Sequence, residues 1–253
     1  MNDSMPKQSL SDKVILVTGA ARRIGAAIVT CLHDNGARVA IHYRSSGDDA
    51  NQLAARLNGI RADSARAVPA DLLNIDGLPQ LVDAVAGWGG GLDGLVNNAS
   101  SFFPTPPGSI TTEQWDELMG SNLKVPLFLS QAALPYLRAR QGSIVNIVDI
   151  HAQRPLRNHA VYGPAKAGLS MLTRSLAKDL APDIRVNGVS PGAILWPENS
   201  MADDVKQSIL DQIPLQRTGS PDDIAECVLY LLRDAAYVTG QIIAVDGGRS
   251  IGW

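Results

Sequence analysis

Apolar and polar positions alternate in blocks along the whole chain. Residues 14–18 (VILVT) form an unbroken apolar run ending at Gly19. Residues 24–35 then carry apolar side chains at helical spacing and stop before Gly36. The couplet recurs. Runs at 38–42, 65–69, 94–96, 143–148, 184–189 and 242–245 predict further strands. Patterns at 49–57, 78–86, 112–137, 165–180 and 221–232 predict helices. Apolar strands alternating with amphipathic helices imply a parallel sheet covered on both faces. The expected fold class is α/β: one doubly wound parallel sheet of about seven strands, in a single domain spanning 1–253. The glycine-rich stretch 87–91 reads as a helix-to-strand turn. Residues 193–214 break the alternation and read as a lid over a ligand site.

Composition narrows the function classes. Hydrophobic residues make up 45% of 253, enough for a core without staples. With 22 basic and 25 acidic side chains, the net charge of −3 argues against a nucleic-acid partner held by bulk charge. Two cysteines, Cys31 and Cys227, make no disulfide framework, and four scattered histidines suggest no metal site. The polar first ten residues resemble no signal peptide, and no run of 18 apolar residues predicts a membrane span. The expectation is a cytoplasmic protein.

Candidate chemistry sits where strands end. Thr18-Gly19-Ala20-Ala21-Arg22-Arg23-Ile24-Gly25 joins the first strand to the first helix. A glycine turn there lets backbone N–H groups approach a pyrophosphate at the helix N-terminus. After the second strand come His42-Tyr43-Arg44-Ser45-Ser46. A free ribose 2′-OH usually meets an acid at this point; a guanidinium and hydroxyls suit a 2′-phosphate. Asp71, followed by Leu72, ends the third strand as a candidate acceptor for the adenine amino group. Asn97-Asn98-Ala99-Ser100 follows the fourth strand and reads as crevice lining or as a polar turn.

Tyr162 and Lys166 lie four residues apart, on one face of a helix. A neighbouring cation favours phenolate and draws the phenol towards working pH, which suits a general acid or base. Pro164 requires a helix start nearby. Asp149, thirteen residues earlier, ends the fifth strand and faces the same crevice. Its carboxylate opposes Lys166 and favours the protonated phenol.

Thr-Gly-x-x-x-x-x-Gly, Asn-Asn-Ala, Asn122, Tyr-x-x-x-Lys, Ser190-Pro191-Gly192 and Asp246-Gly247-Gly248 occur in that order. The chain resembles the short-chain dehydrogenase/reductase superfamily over nearly its full length. The resemblance implies a Rossmann-type fold and a nicotinamide cofactor near Gly19, Arg22, Ile24, Asn98, Ala99, Pro191 and Gly192. It also implies Tyr162 as proton donor, Lys166 on the ribose, Asn122 holding a water relay, and a homotetramer. Two departures, Arg23 for glycine and Asp149 for serine, resemble the pteridine reductase family, as does the segment from Asn97 to Pro106. That likeness implies NADPH and a pterin substrate. Phe102 would stack on the pterin, and Ser100 would bond pterin or cofactor. Arg23 would contribute to phosphate and pterin binding, and Asp149 would partner the tyrosine. A short-chain carbonyl reductase is the alternative reading. Phe102 and Phe103 also suit a core. His151 and His159 are expected at the rim, and Trp196-Pro197-Glu198 as lid anchor or substrate contact. Whether Arg249 or Trp253 reaches a neighbouring subunit's site is open.

Overall fold

The computed structural model describes residues 9–195 and 202–251. Its strands are β1 (Val14–Val17), β2 (Arg38–Tyr43), β3 (Ala65–Pro69), β4 (Gly94–Asn97), β5 (Ser143–Ile147), β6 (Arg185–Pro191) and β7 (Ile242–Val245). They form one seven-stranded sheet in the order β3-β2-β1-β4-β5-β6-β7, with every pairing parallel. The chain runs outward from β1 to β3 and then returns to β4 on the other side of β1. A crevice opens at such a reversal, beyond the carboxyl ends of the strands.

Side chains of a strand alternate between faces. Ile15 and Val17 pack in the cluster shared by α1 (Arg23–Asp34), α2 (Gly47–Ile60) and α8 (Pro221–Arg233). Val14 and Leu16 pack against α3 (Leu78–Gly89), α5 (Val125–Arg140) and α6 (Tyr162–Leu180). The expected two-sided sheet is therefore present. The glycine-rich turn falls as expected: α3 ends at Gly89, and Gly90 caps it at φ 76°.

The region 112–137 differs from its expectation of one helix. It divides into α4 (Thr112–Met119), a π-helical turn (Gly120–Lys124) and α5. The Val125 N–H bonds to Gly120 O, five residues back. A π turn closes on i→i+5 bonds and shifts the apolar register only slightly, a shift that a coarse helical pattern over this length does not resolve. The Asn122 side chain lies in this turn, fully buried, and donates through Nδ2 to Leu118 O at 3.0 Å.

A buried polar row ties the sheet to α6. Asn97 Nδ2 donates to Asn146 Oδ1 at 2.8 Å, and Asn146 Nδ2 donates to Thr173 Oγ1 at 2.9 Å. Asn146→Ala should leave Asn97 and Thr173 short of partners. An orphaned buried polar group costs about 1–3 kcal/mol, and each kcal/mol moves Tm by roughly 2–4 °C in a chain of this size. A Tm lowered by several degrees in calorimetry, with unchanged secondary structure, is the expected result.

Candidate active site

The turn after β1 is held from three sides. Gly19 has φ +59°, and a Cβ there would lie 2.9 Å from Ala99 Cα. A Cβ on Gly25 would meet Gly19 O at 2.4 Å. Only glycine fits either place. The Gly19 N–H donates to His42 Nδ1 at 3.1 Å, and His42 Nε2 donates to Ala70 O at 3.1 Å. Burial lowers His42 to about 4, so the ring is neutral. His42 thus uses both ring nitrogens to brace the turn. Asn98 Nδ2 donates to Thr18 O at 2.9 Å and to Gly19 O at 3.0 Å.

A cavity of about 380 Å³ opens over this turn. Gly19, Arg22, Arg23, Ile24, His42, Arg44, Asp71, Leu72, Asn98, Ala99 and Ser100 line it, as the sequence led us to expect. Gly25, Leu73, Ser101, Ser121 and Val125 line it too. Of these, only Gly25 and Ser101 stand in segments that the sequence had marked. Ser121 and Val125 arrive through the π turn. Tyr43 and Pro191 end their strands, Ser45 and Gly192 follow them, and none of the four lines the cavity. Tyr43 packs into the core beside α2, Ser45 is exposed, and Gly192 lies against Asp246. The wall fits a dinucleotide's phosphates: two glycines at close approach, a helix N-terminus and three arginines. Arg22 pairs with Asp49 at 2.6 Å, and Arg44 is exposed at the rim. Arg23 opens α1 at φ +53°, a backbone region that costs a side chain about 1–2 kcal/mol and explains glycine as the commoner residue.

The reacting groups meet beside this cavity. Tyr162 is the first residue of α6, and Asp149 lies just past β5, after Val148. The Tyr162 hydroxyl donates to Asp149 Oδ2 at 2.8 Å. Asp149 Oδ1 accepts from His151 N at 2.8 Å. Lys166 is buried, donates to Ile147 O at 2.8 Å, and lies 5.7 Å from the centre of the Tyr162 ring. Two opposing influences on the phenol were expected, and the structure favours one. Burial, the Asp149 charge and the bond to Asp149 raise the Tyr162 pKa well above its ordinary value, while Ser100 lowers it. Asn122 Oδ1 accepts from Ser100 Oγ at 2.6 Å, and Asn122 Nδ2 donates to Ser101 O at 2.9 Å. Asn122 thus ties the loop after β4 to the π turn.

The two neighbouring phenylalanines separate. Phe103 packs with Leu118, Val161 and Tyr162, whereas Phe102 is 56% exposed and sets its ring at 4.8 Å and 76° to Tyr162. Arg249 is half-buried, and burial lowers its pKa; the Asp149 and Asp246 charges of its own chain oppose that shift. Within 193–214, α7 (Asp203–Leu210) is helical, while Trp196, Pro197 and Glu198 lie outside the described residues, as does Trp253. Among the described residues, no group of three His, Cys, Asp or Glu is placed to hold a metal, and no helix is long and apolar enough to cross a membrane.

Burial, opposed by Asp149, lowers Lys166 from 10.5 to about 8. Between those values the unfolded chain binds the extra proton, so stability rises with pH through that window. Below pH 8 the full burial cost applies. Lys166→Met should therefore gain up to about 3 kcal/mol at pH 7, less the lost bond to Ile147, and the gain should fade by pH 10. Urea melts at both pH values measure this, and an equal difference at both would refute it.

A family model described as enoyl-(acyl carrier protein) reductase matches residues 19–250. Pteridine reductase 1 of Leishmania tarentolae is 40% identical, over 94% of this chain and 96% of its own. A 3-oxoacyl-(acyl-carrier-protein) reductase, FabG of Staphylococcus epidermidis, is 36% identical over 94% and 98%. A crystal structure named as a candidate short-chain alcohol dehydrogenase, from Sinorhizobium meliloti, superposes with a TM-score of 0.92 at 32% identity, covering 98% of this chain and 100% of that one. These relatives act on different substrates at similar identity. The match to the family model over 19–250, the 36–40% identity over 94% of the chain and the shared fold show together that the chain belongs to the short-chain dehydrogenase/reductase superfamily of oxidoreductases.

Proposed function

We propose that the chain is an NADPH-dependent pteridine reductase that reduces a C=N bond of a dihydropterin, or of a pterin, to give the tetrahydropterin. The observation that carries this reading is the 2.8 Å bond from Tyr162 to Asp149, with the exposed Phe102 ring beside the same hydroxyl-bearing ring. A carboxylate on the phenol makes Tyr162 a weaker acid. As hydride reaches the carbon, the ring nitrogen becomes a strong base and takes a proton even from so weak an acid, and Asp149 gives the resulting phenolate a route to a replacement proton. A flat heterocycle also calls for an aromatic face and polar groups at its edge, which Phe102 and Ser100 supply.

NADPH, when bound, supplies the hydride. Gly19, Arg22, Arg23, Ile24, Asn98 and Ala99 would hold its phosphates and nicotinamide side. Arg44, with Tyr43 and Ser45, would meet the 2′-phosphate, and Asp71 and Leu72 the adenine. Lys166 would bond the ribose, with Pro191 and Gly192 on the far side. Tyr162 gives its proton to the substrate nitrogen, and Asp149 relays a solvent proton back to the phenolate. Asn122 orders Ser100 against the substrate edge. The same reading makes the protein a cytoplasmic homotetramer, with half-exposed Trp115 on α4 and Met171 on α6 at the subunit contacts.

NADPH oxidation with dihydrobiopterin, dihydrofolate and a panel of ketones tests the reading. Pterin turnover is expected. Turnover of ketones alone would leave a carbonyl reductase. Asp149→Ala should bind NADPH normally and lose roughly 10²–10⁴-fold in pterin turnover, the range of a general acid–base group. Asp149→Ser should not restore the rate; full activity in that variant would remove the carboxylate from the mechanism. A charge-assisted contact contributes about 1.5–3 kcal/mol, roughly tenfold to a hundredfold in affinity. Arg44→Asp should therefore shift preference towards NADH by that order in binding titrations. Equal NADH and NADPH affinities in the unsubstituted protein would contradict the role of Arg44.

A further inference from the structure

Phe102 is more than half exposed, yet two rings fix its plane. The His159 ring lies 4.7 Å from it, centre to centre, at 16°, a stacked pair. Tyr162 meets it edge-on at 76°. The backbones carrying these rings are stitched together. Thr105 and His159 form a parallel bridge, and Thr105 N donates to Asn158 O at 2.6 Å. Thr105 is fully buried, and its Oγ1 accepts from Val161 N at 3.3 Å, one residue before α6. The segment bearing Phe102 is thereby fastened to the segment that leads into Tyr162.

His159 is held by few polar bonds of its own side chain. Its Nδ1 lies 2.8 Å from Arg157 O, which makes that nitrogen the donor. Its Nε2 is buried and has no partner. The ring is thus placed by one hydrogen bond and by its stack on Phe102. One face of Phe102 is covered by this imidazole, so a flat ligand that stacks on the exposed part of the ring cannot use that face.

We propose that His159 is a positioning residue for the substrate shelf. It backs Phe102, stops that side chain from rotating about its χ angles, and restricts stacking to the uncovered face. The proposal rests on the pterin reading for its substrate, but the ring pair itself does not. Aromatic pairing of this kind corresponds to about threefold to tenfold in affinity.

The test joins kinetics to a measurement that needs no substrate. The chain has three phenylalanines, so 4-fluorophenylalanine labelling yields three fluorine signals, and that of Phe102 is the one missing in Phe102→Leu. In the free protein, His159→Ala should move this signal, and His159→Phe, which keeps a stacked ring and adds a fourth signal of its own, should move it much less. His159→Ala should raise the dihydropterin KM about threefold to tenfold while kcat and the NADPH KM stay unchanged. His159→Phe should restore the pterin KM. An unmoved signal with an unchanged KM in His159→Ala would overturn the proposal, as would a His159→Phe variant as impaired as His159→Ala. Absence of pterin turnover in the unsubstituted protein defeats the functional reading instead; the fluorine shift then decides the stacking role alone.

Discussion

All seven strands run in one direction, and the rest of the molecule follows from that constraint. Parallel neighbours cannot be joined by tight hairpins, so each return must cross a face of the sheet, mostly as a helix. Every strand then delivers its carboxyl end to the same edge. Gly19 after β1, Asp71 after β3, Asn98 to Phe102 after β4 and Asp149 after β5 are all carried there. The reversal between β1 and β4 separates the flanking helices at that edge. Thr18 and Asn98 close the base of the opening: the Asn98 and Ala99 N–H groups both donate to Thr18 Oγ1, at 2.9 and 3.0 Å.

Within the opening, electrostatics are set by what each charged group touches. Lys166 is buried and spends a hydrogen bond on the Ile147 carbonyl. Asp149 takes the phenol proton side of Tyr162 and a backbone N–H from His151. The phenol therefore senses a carboxylate at hydrogen-bond range and an ammonium beyond its ring. Burial and the Asp149 carboxylate, through its charge and its direct bond, act together to keep the phenol protonated.

The π turn has a comparable effect on shape. It redirects α5 relative to α4 and brings Asn122 against the loop after β4. Asn122 then joins Ser100, Ser101 and Leu118 through one buried amide.

Alternation of apolar runs and amphipathic patterns was enough, in the sequence alone, to determine the layered parallel sheet, because burial on one or both faces imposes its own period. The glycine turn and the spacing of Asp149, Tyr162 and Lys166 were legible for a similar reason: local geometry ties those positions to strand ends and one helix face. Other features needed the folded chain. The π turn shifts the apolar register too little for a coarse helical pattern to mark it. His42 braces Gly19, and His159 stacks on Phe102, through contacts between segments distant along the chain. Phe102 and Phe103 are chemically alike, and only packing against Leu118 and Val161 sends one inward and leaves the other exposed. The sign of the phenol's shift likewise depended on distances rather than residue types. Sequence determines which side chains are available and in what periodic order, whereas tertiary structure decides which of them come within reach, because short-range forces act only across gaps that folding has closed.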